Sequence, residues 1–215
     1  MSKPRSESDL SDQLDSNLTY RLKEISDLKQ AILDANPLNR DVLLKALIAL
    51  SYAHWEGFVK FSAQKYFEFI ALRKHSYAAL NPQFYINSFL VRLGSLHQNK
   101  PNIHERANLI SEILSSRENR FSYLHPTLIN TGSNLKFEIF KEICLICGID
   151  HSKFSNKENF IDVILLKRRN SIAHGDKSVV SISEMDELAN ETIGLMRSFK
   201  NELENRIYNR EYLVI

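Results

Sequence analysis

Leu10, Leu14, Leu18, Leu22, Ile25, Leu28 and Ile32 recur at steps of four, four, four, three, three and four, which draws one apolar stripe along a helix. That helix is predicted to end near Asn36-Pro37. Asn39 or Asp41 is the expected cap of a second one. Its apolar positions, from Val42 through Trp55, Phe58 and Phe61 to Phe69 and Ile70, are too dense for a single stripe, which predicts a central and mostly buried element. Gly57 inside it costs ~1 kcal/mol relative to alanine and is expected to mark the close approach of another helix. Pro82 suits the first turn of a shorter helix through Phe84, Phe89, Val91 and Leu96, and Pro101 precedes another at Ile103 to Leu114. Residues 115–133 read as a connection. A helix from Leu135 to Cys147 should stop at Gly148, a good left-handed cap. Ser155 with Glu158 forms a capping box for a helix through Phe160, Ile161, Ile164 and Leu165 toward Arg169. Ser181 with Glu184, or Ser183 with Asp186, opens a last helix carrying Leu188, Leu195, Phe199, Leu203 and Ile207.

The pattern is all-α throughout. Six glycines and five prolines in 215 residues are about half the usual share and argue against a turn-rich β fold. Apolar residues at 43% and charged residues at 25% are the balance of a globular chain, long enough for a real core. No repeat or linker divides it, so one domain is expected over residues 10–208, between a flexible segment 1–9 and a tail 209–215. Unbroken apolar runs such as Ala46 to Leu50 fall far short of the ~20 residues of a membrane span, and the opening residues lack the apolar core of a signal peptide. Two cysteines make no disulfide framework, so a cytoplasmic location is expected. The net charge of +2 is too small to argue for nucleic acid by itself. Local clustering is more informative. Lys167, Arg168, Arg169 and Lys177 are opposed only by Asp176, whereas residues 183–211 are predominantly acidic.

Cys144 and Cys147 have the spacing of half a zinc site, with His151 as a third ligand, but no fourth ligand follows. On an apolar helix two thiols read first as packing groups, and no metal site is expected. Phosphate-binding loops, esterase elbows and zincin motifs are all missing. The segment Lys167-Arg168-Arg169-Asn170-Ser171-Ile172-Ala173-His174-Gly175-Asp176 gathers cations, an amide and an imidazole at a helix end. At 100° per residue Asn170 and His174 share a face, about 40° apart, whereas Arg169 and His174 diverge by about 140°. Either Arg169 wraps round, or the helix loosens before Gly175. By itself, a basic last turn ending in His is also what helix-dipole complementation and a C-cap require.

Arg169-Asn-Ser-Ile-Ala-His174 resembles the Arg-x4-6-His motif of the HEPN superfamily, all-helical nucleases and nucleotide-binding domains of prokaryotic defence and toxin systems. Tyr52-Ala-His-Trp-Glu-Gly-Phe-Val-Lys60 is similar to the Trp-Glu-Gly segment of MAE-like HEPN nucleases. The resemblance implies a helical bundle with long antiparallel helices and a metal-independent endoribonuclease without cofactors. In such an enzyme the 2′-hydroxyl attacks the adjacent phosphate and leaves a 2′,3′-cyclic end. An imidazole titrates near pH 6.5, so His174 would move the proton, while the permanently charged fork of Arg169 would hold phosphate oxygens. Asn170 would orient His174 or the substrate, Glu56 would pair with Arg169 or His174 unless it meets an unrelated base, and Arg168 and Lys167 would attract phosphate. Trp55 reads as core, and His54 is a weaker candidate. The same resemblance implies an RNA partner, a C2 homodimer with a composite cleft, and a toxin or antiviral role that admits a neutralising antitoxin. The alternative is a non-catalytic HEPN module that binds nucleotide, RNA or a protein through this surface.

Overall fold

A computed structural model describes residues 2–99, 102–132, 134–176 and 180–214. Among them the architecture is all-α, with seven α-helices: α1 (Glu7–Asp34), α2 (Pro37–Ala71), α3 (Pro82–Asn99), α4 (Ile103–Ser115), α5 (Phe137–Cys147), α6 (Arg168–Ala173) and α7 (Met185–Tyr208). Only two residues join α1 to α2, which makes the pair an antiparallel hairpin. Helix α7 lies against both of them, and α6 lies on α2. The core gathers round α2, where Trp55, Phe58, Tyr66 and Phe69 are sealed from solvent and Trp55 meets the Phe140 ring edge-on at 5.0 Å. By length and composition α2 also qualifies as a membrane span, but half of its most apolar window is buried by its neighbours, as befits the central helix of a bundle.

Several boundaries differ from the sequence reading for local reasons. Helix α1 begins at Glu7, inside the segment expected to be flexible, because Ser6 and Asp9 form a capping box, and Pro4 ahead of it is buried. Asn36 caps α2, since Pro37 fits the first helical turn, where its missing N–H costs nothing. The close neighbour of Gly57 is the Arg21 guanidinium, 3.0 Å from where a Cβ would stand. The 209–215 tail is tied back at Leu213 to Leu80, with Tyr212 buried. Gly148 ends α5 at φ 73°, and Ser181 with Glu184 forms the cap ahead of α7, both as expected.

The largest departure precedes α6. No capping box forms at Ser155. His151–Lys157 winds as a 3₁₀ helix, and Phe160–Lys167 follows as a π-helix. The wider π winding brings residues five apart to one side, so that Ile161, Leu165 and Leu166 are all buried. The chain then tightens into α6 at Arg168.

Candidate functional site

Three contacts pin the start of α5 and the chain just before it to α6, to α2 and to the π-helix. The Arg169 Nη2 donates to Asn134 Oδ1, the Leu135 N–H donates to Tyr52 Oη at 2.6 Å, and the Phe137 N–H donates to Asp162 Oδ1 at 2.7 Å. The last bond caps α5, whose own N-cap, Lys136, supplies none. The Arg169 guanidinium carbon also stands 4.3 Å from the centre of the Tyr52 ring, a cation–π distance. Burial pushes the Tyr52 hydroxyl above the ordinary phenol range, Arg169 opposes that shift, and the Glu56 charge adds to it. The Arg169 Nε is buried without a hydrogen-bond partner among the described residues. An unsatisfied buried donor favours any ligand oxygen that reaches it.

Helix α6 stays regular to its end. The His174 N–H donates to the Asn170 carbonyl at 3.0 Å, so no loosening separates motif from cap. Gly175 N–H then reaches Ile172 O, and Asp176 N–H reaches Ser171 O, with Gly175 at φ 78°. These two bonds form a Schellman termination that fixes His174 as the C-cap, exposed to solvent. Arg169 therefore wraps toward α2 while His174 faces outward. Arg169 and His174 line none of five clefts of about 360 to 630 Å³ elsewhere on the surface. On one chain the motif is an open ledge.

The remaining expected residues divide. Asn170 is half-buried and touches His174 through its backbone carbonyl, not its amide. Glu56 is half-exposed and pairs with neither Arg169 nor His174 among the described residues, because Asn134 takes the arginine and His174 points away. Arg168 is held by Glu184 at 2.8 Å, whose other oxygen accepts the Ser181 N–H, so its charge is locally neutralised by the cap of the next helix. Lys167 is exposed, and Lys177 lies outside the described residues. The acidic last segment is spent on ion pairs of this kind: Glu184, Asp186, Glu191, Glu202, Glu204 and Glu211 each hold a base. Cys144 and Cys147 are free, buried thiols with pKa values raised by burial, and no metal-binding cluster occurs among the described residues.

Sequence reasoning gave no role to Tyr52 or Asn134. Tyr52 heads the segment that ends at Lys60, and Asn134 directly precedes an apolar helix start, but neither position announces an arginine 117 or 35 residues away. It also missed a second arginine–histidine cluster, on the opposite face of α2. Arg21, buried, donates to Asn17 Oδ1 at 2.9 Å, to the His54 carbonyl at 3.1 Å, and to His54 Nδ1 at 3.2 Å. Arginine has no acceptor, so Nδ1 must be bare and the His54 proton sits on Nε2. Nε2 lies 3.1 Å from Glu24 Oε2, at ion-pair distance but off hydrogen-bond alignment.

The family model described as RiboL-PSP-HEPN matches residues 16–205 of the chain. Comparison with curated proteins and with solved structures gives no match.

Proposed function

Because the chain belongs to the RiboL-PSP-HEPN family, and HEPN domains are often ribonucleases, we propose that it is a metal-independent endoribonuclease acting as a toxin or antiviral effector. The likeness of Tyr52–Lys60 to MAE-like HEPN nucleases supports the catalytic reading. The observation that carries it is the clamping of Arg169 by Asn134 and Tyr52 five residues before an exposed His174. A preorganised guanidinium meets the charge that grows on phosphate oxygens, and a solvent-facing imidazole is free to reach a substrate proton.

In the proposed reaction an imidazole takes the 2′-hydroxyl proton, O2′ attacks the adjacent phosphorus, and the bond from phosphorus to O5′ breaks. The products are a 2′,3′-cyclic phosphate and a 5′-hydroxyl. One chain presents an open ledge, so the proposal includes a C2 homodimer in which two ledges face each other and form one cleft. There one His174 accepts a proton while its symmetry mate protonates the departing O5′. Lys167, exposed beside the motif, supplies phosphate attraction.

The test is incubation of the purified protein with total RNA in excess EDTA, beside Arg169→Ala and His174→Ala. Cleavage by the wild type that both substitutions abolish is the expected result. Intact RNA with the wild type would favour the non-catalytic module, which binds nucleotide, RNA or a protein through the same ledge.

A further inference from the structure

The strap formed by residues 119–132 and 134–136 contains no acidic residue, although acids are 26 of the 215 residues in the chain, and it carries Arg120, His125 and Lys136. It runs back along α2. At one end the Phe121 ring packs on Phe67 at 6.4 Å, and at the other Leu135 is bonded to Tyr52 beside Arg169. Phe67 and Tyr52 are fifteen residues apart, so the strap covers about 22 Å of the α2 axis.

A cavity of about 360 Å³ opens under the Phe121 end. That is the lower part of the range for small-ligand sites, with room for one nucleobase. Tyr123 stands at its edge with 66% of its surface exposed, and Pro126 and Phe67 supply apolar walls. Gln64, exposed, brings an amide with no hydrogen bond among the described residues, and Glu68 brings a carboxylate whose known partner is Lys65 at 2.7 Å. Aromatic faces with a few polar groups, along an acid-free strap, are how proteins hold unstacked bases of single strands.

We propose that this cavity binds a nucleobase of the RNA strand whose phosphate lies at Arg169, a few nucleotides away along the strap. This rests on the reading of the chain as acting on RNA. Tyr123 stacks on the base, and Glu68 with Gln64 reads its edge. A carboxylate accepts from an exocyclic amine and from the N3–H of uracil alike, and an amide answers the acceptors beside them, so the cavity takes any base and stacking sets its affinity.

The test is binding of fluorescent single-stranded oligo-A, oligo-C and oligo-U of twelve residues to the His174→Ala protein, which removes cleavage from the readout. Measurable binding of all three strands is expected. Adding Tyr123→Ala should weaken each of them roughly ten-fold, as loss of one stacked base does, with an unchanged melting temperature. Equal affinities with and without Tyr123, or no measurable binding of any strand, would overturn the proposal. Cleavage by the wild type is scored separately, so the nuclease reading and the cavity can fail independently.

Discussion

In the proposed reaction Arg169 is the residue on which the chemistry depends, and its surroundings say how it should respond to change. Loss of one preorganised donor typically costs ~3 kcal/mol of transition-state stabilisation, so Arg169→Ala should lower the cleavage rate about 10²- to 10³-fold. Arg169→Lys should not restore it, since a point charge can neither stack on Tyr52 nor fork between Asn134 and a phosphate. Asn134→Ala frees the guanidinium and should cut kcat by about ten-fold with a smaller change in KM, because it removes orientation and not charge. Single-turnover kinetics measures both. His54 makes a contrasting prediction. Burial first, and then the Arg21 charge, holds its folded-state pKa below the ordinary 6.5, with Glu24 pulling upward. Above about pH 6.5 neither folded nor unfolded chain binds this proton; as pH falls below it the unfolded chain protonates first and folding stability is lost. Urea midpoints should therefore fall between pH 7.5 and pH 5.5, and less steeply in His54→Gln. The motif residues were legible because they are adjacent in sequence. Tyr52 and Asn134 were not, because a contact across elements leaves no spacing to read.

At the level of elements, caps and stripes carried most of the fold. The Leu10 to Ile32 stripe became α1, Pro82 opened α3, and Gly148 closed α5. A substitution tests that last reading. Gly148 sits at φ 73°, and an added Cβ would stand 2.7 Å from an Arg206 guanidinium nitrogen. The left-handed backbone alone costs roughly 1–2 kcal/mol in any other residue. Gly148→Ala should thus lower the melting temperature by several degrees in calorimetry. Gly175 has the same backbone but open space round it, so Gly175→Ala should cost less stability while loosening the termination that holds His174. The π-helix at Phe160–Lys167 was not legible, because an apolar run with Ile161, Leu165 and Leu166 fits helical periodicity well enough to suggest an ordinary α-helix. The wider winding shows only in the fold, where this segment lies against α2 and α6. The expected Glu56 ion pair failed for a related reason: spacing along one helix cannot say which partner a facing helix offers.

For the molecule as a whole, the proposed composite cleft makes catalysis a property of the pair. Gel filtration should find activity only in a dimer, and mixing inactive His174→Ala into the wild type should lower cleavage by more than dilution does, since a mixed pair keeps only one of the two imidazoles. An active monomer would contradict the composite cleft. In a bacterial host, induction of the wild type should arrest growth where His174→Ala does not. The most direct measurement uses two RNA oligonucleotides in excess EDTA, identical but for one 2′-deoxy sugar at the cleavage site. The all-ribose strand should be cut to a 2′,3′-cyclic phosphate by the wild type and not by Arg169→Ala, while the deoxy strand survives at that position. Cutting of both strands at the same bond, or cutting undiminished without Arg169, would contradict the account.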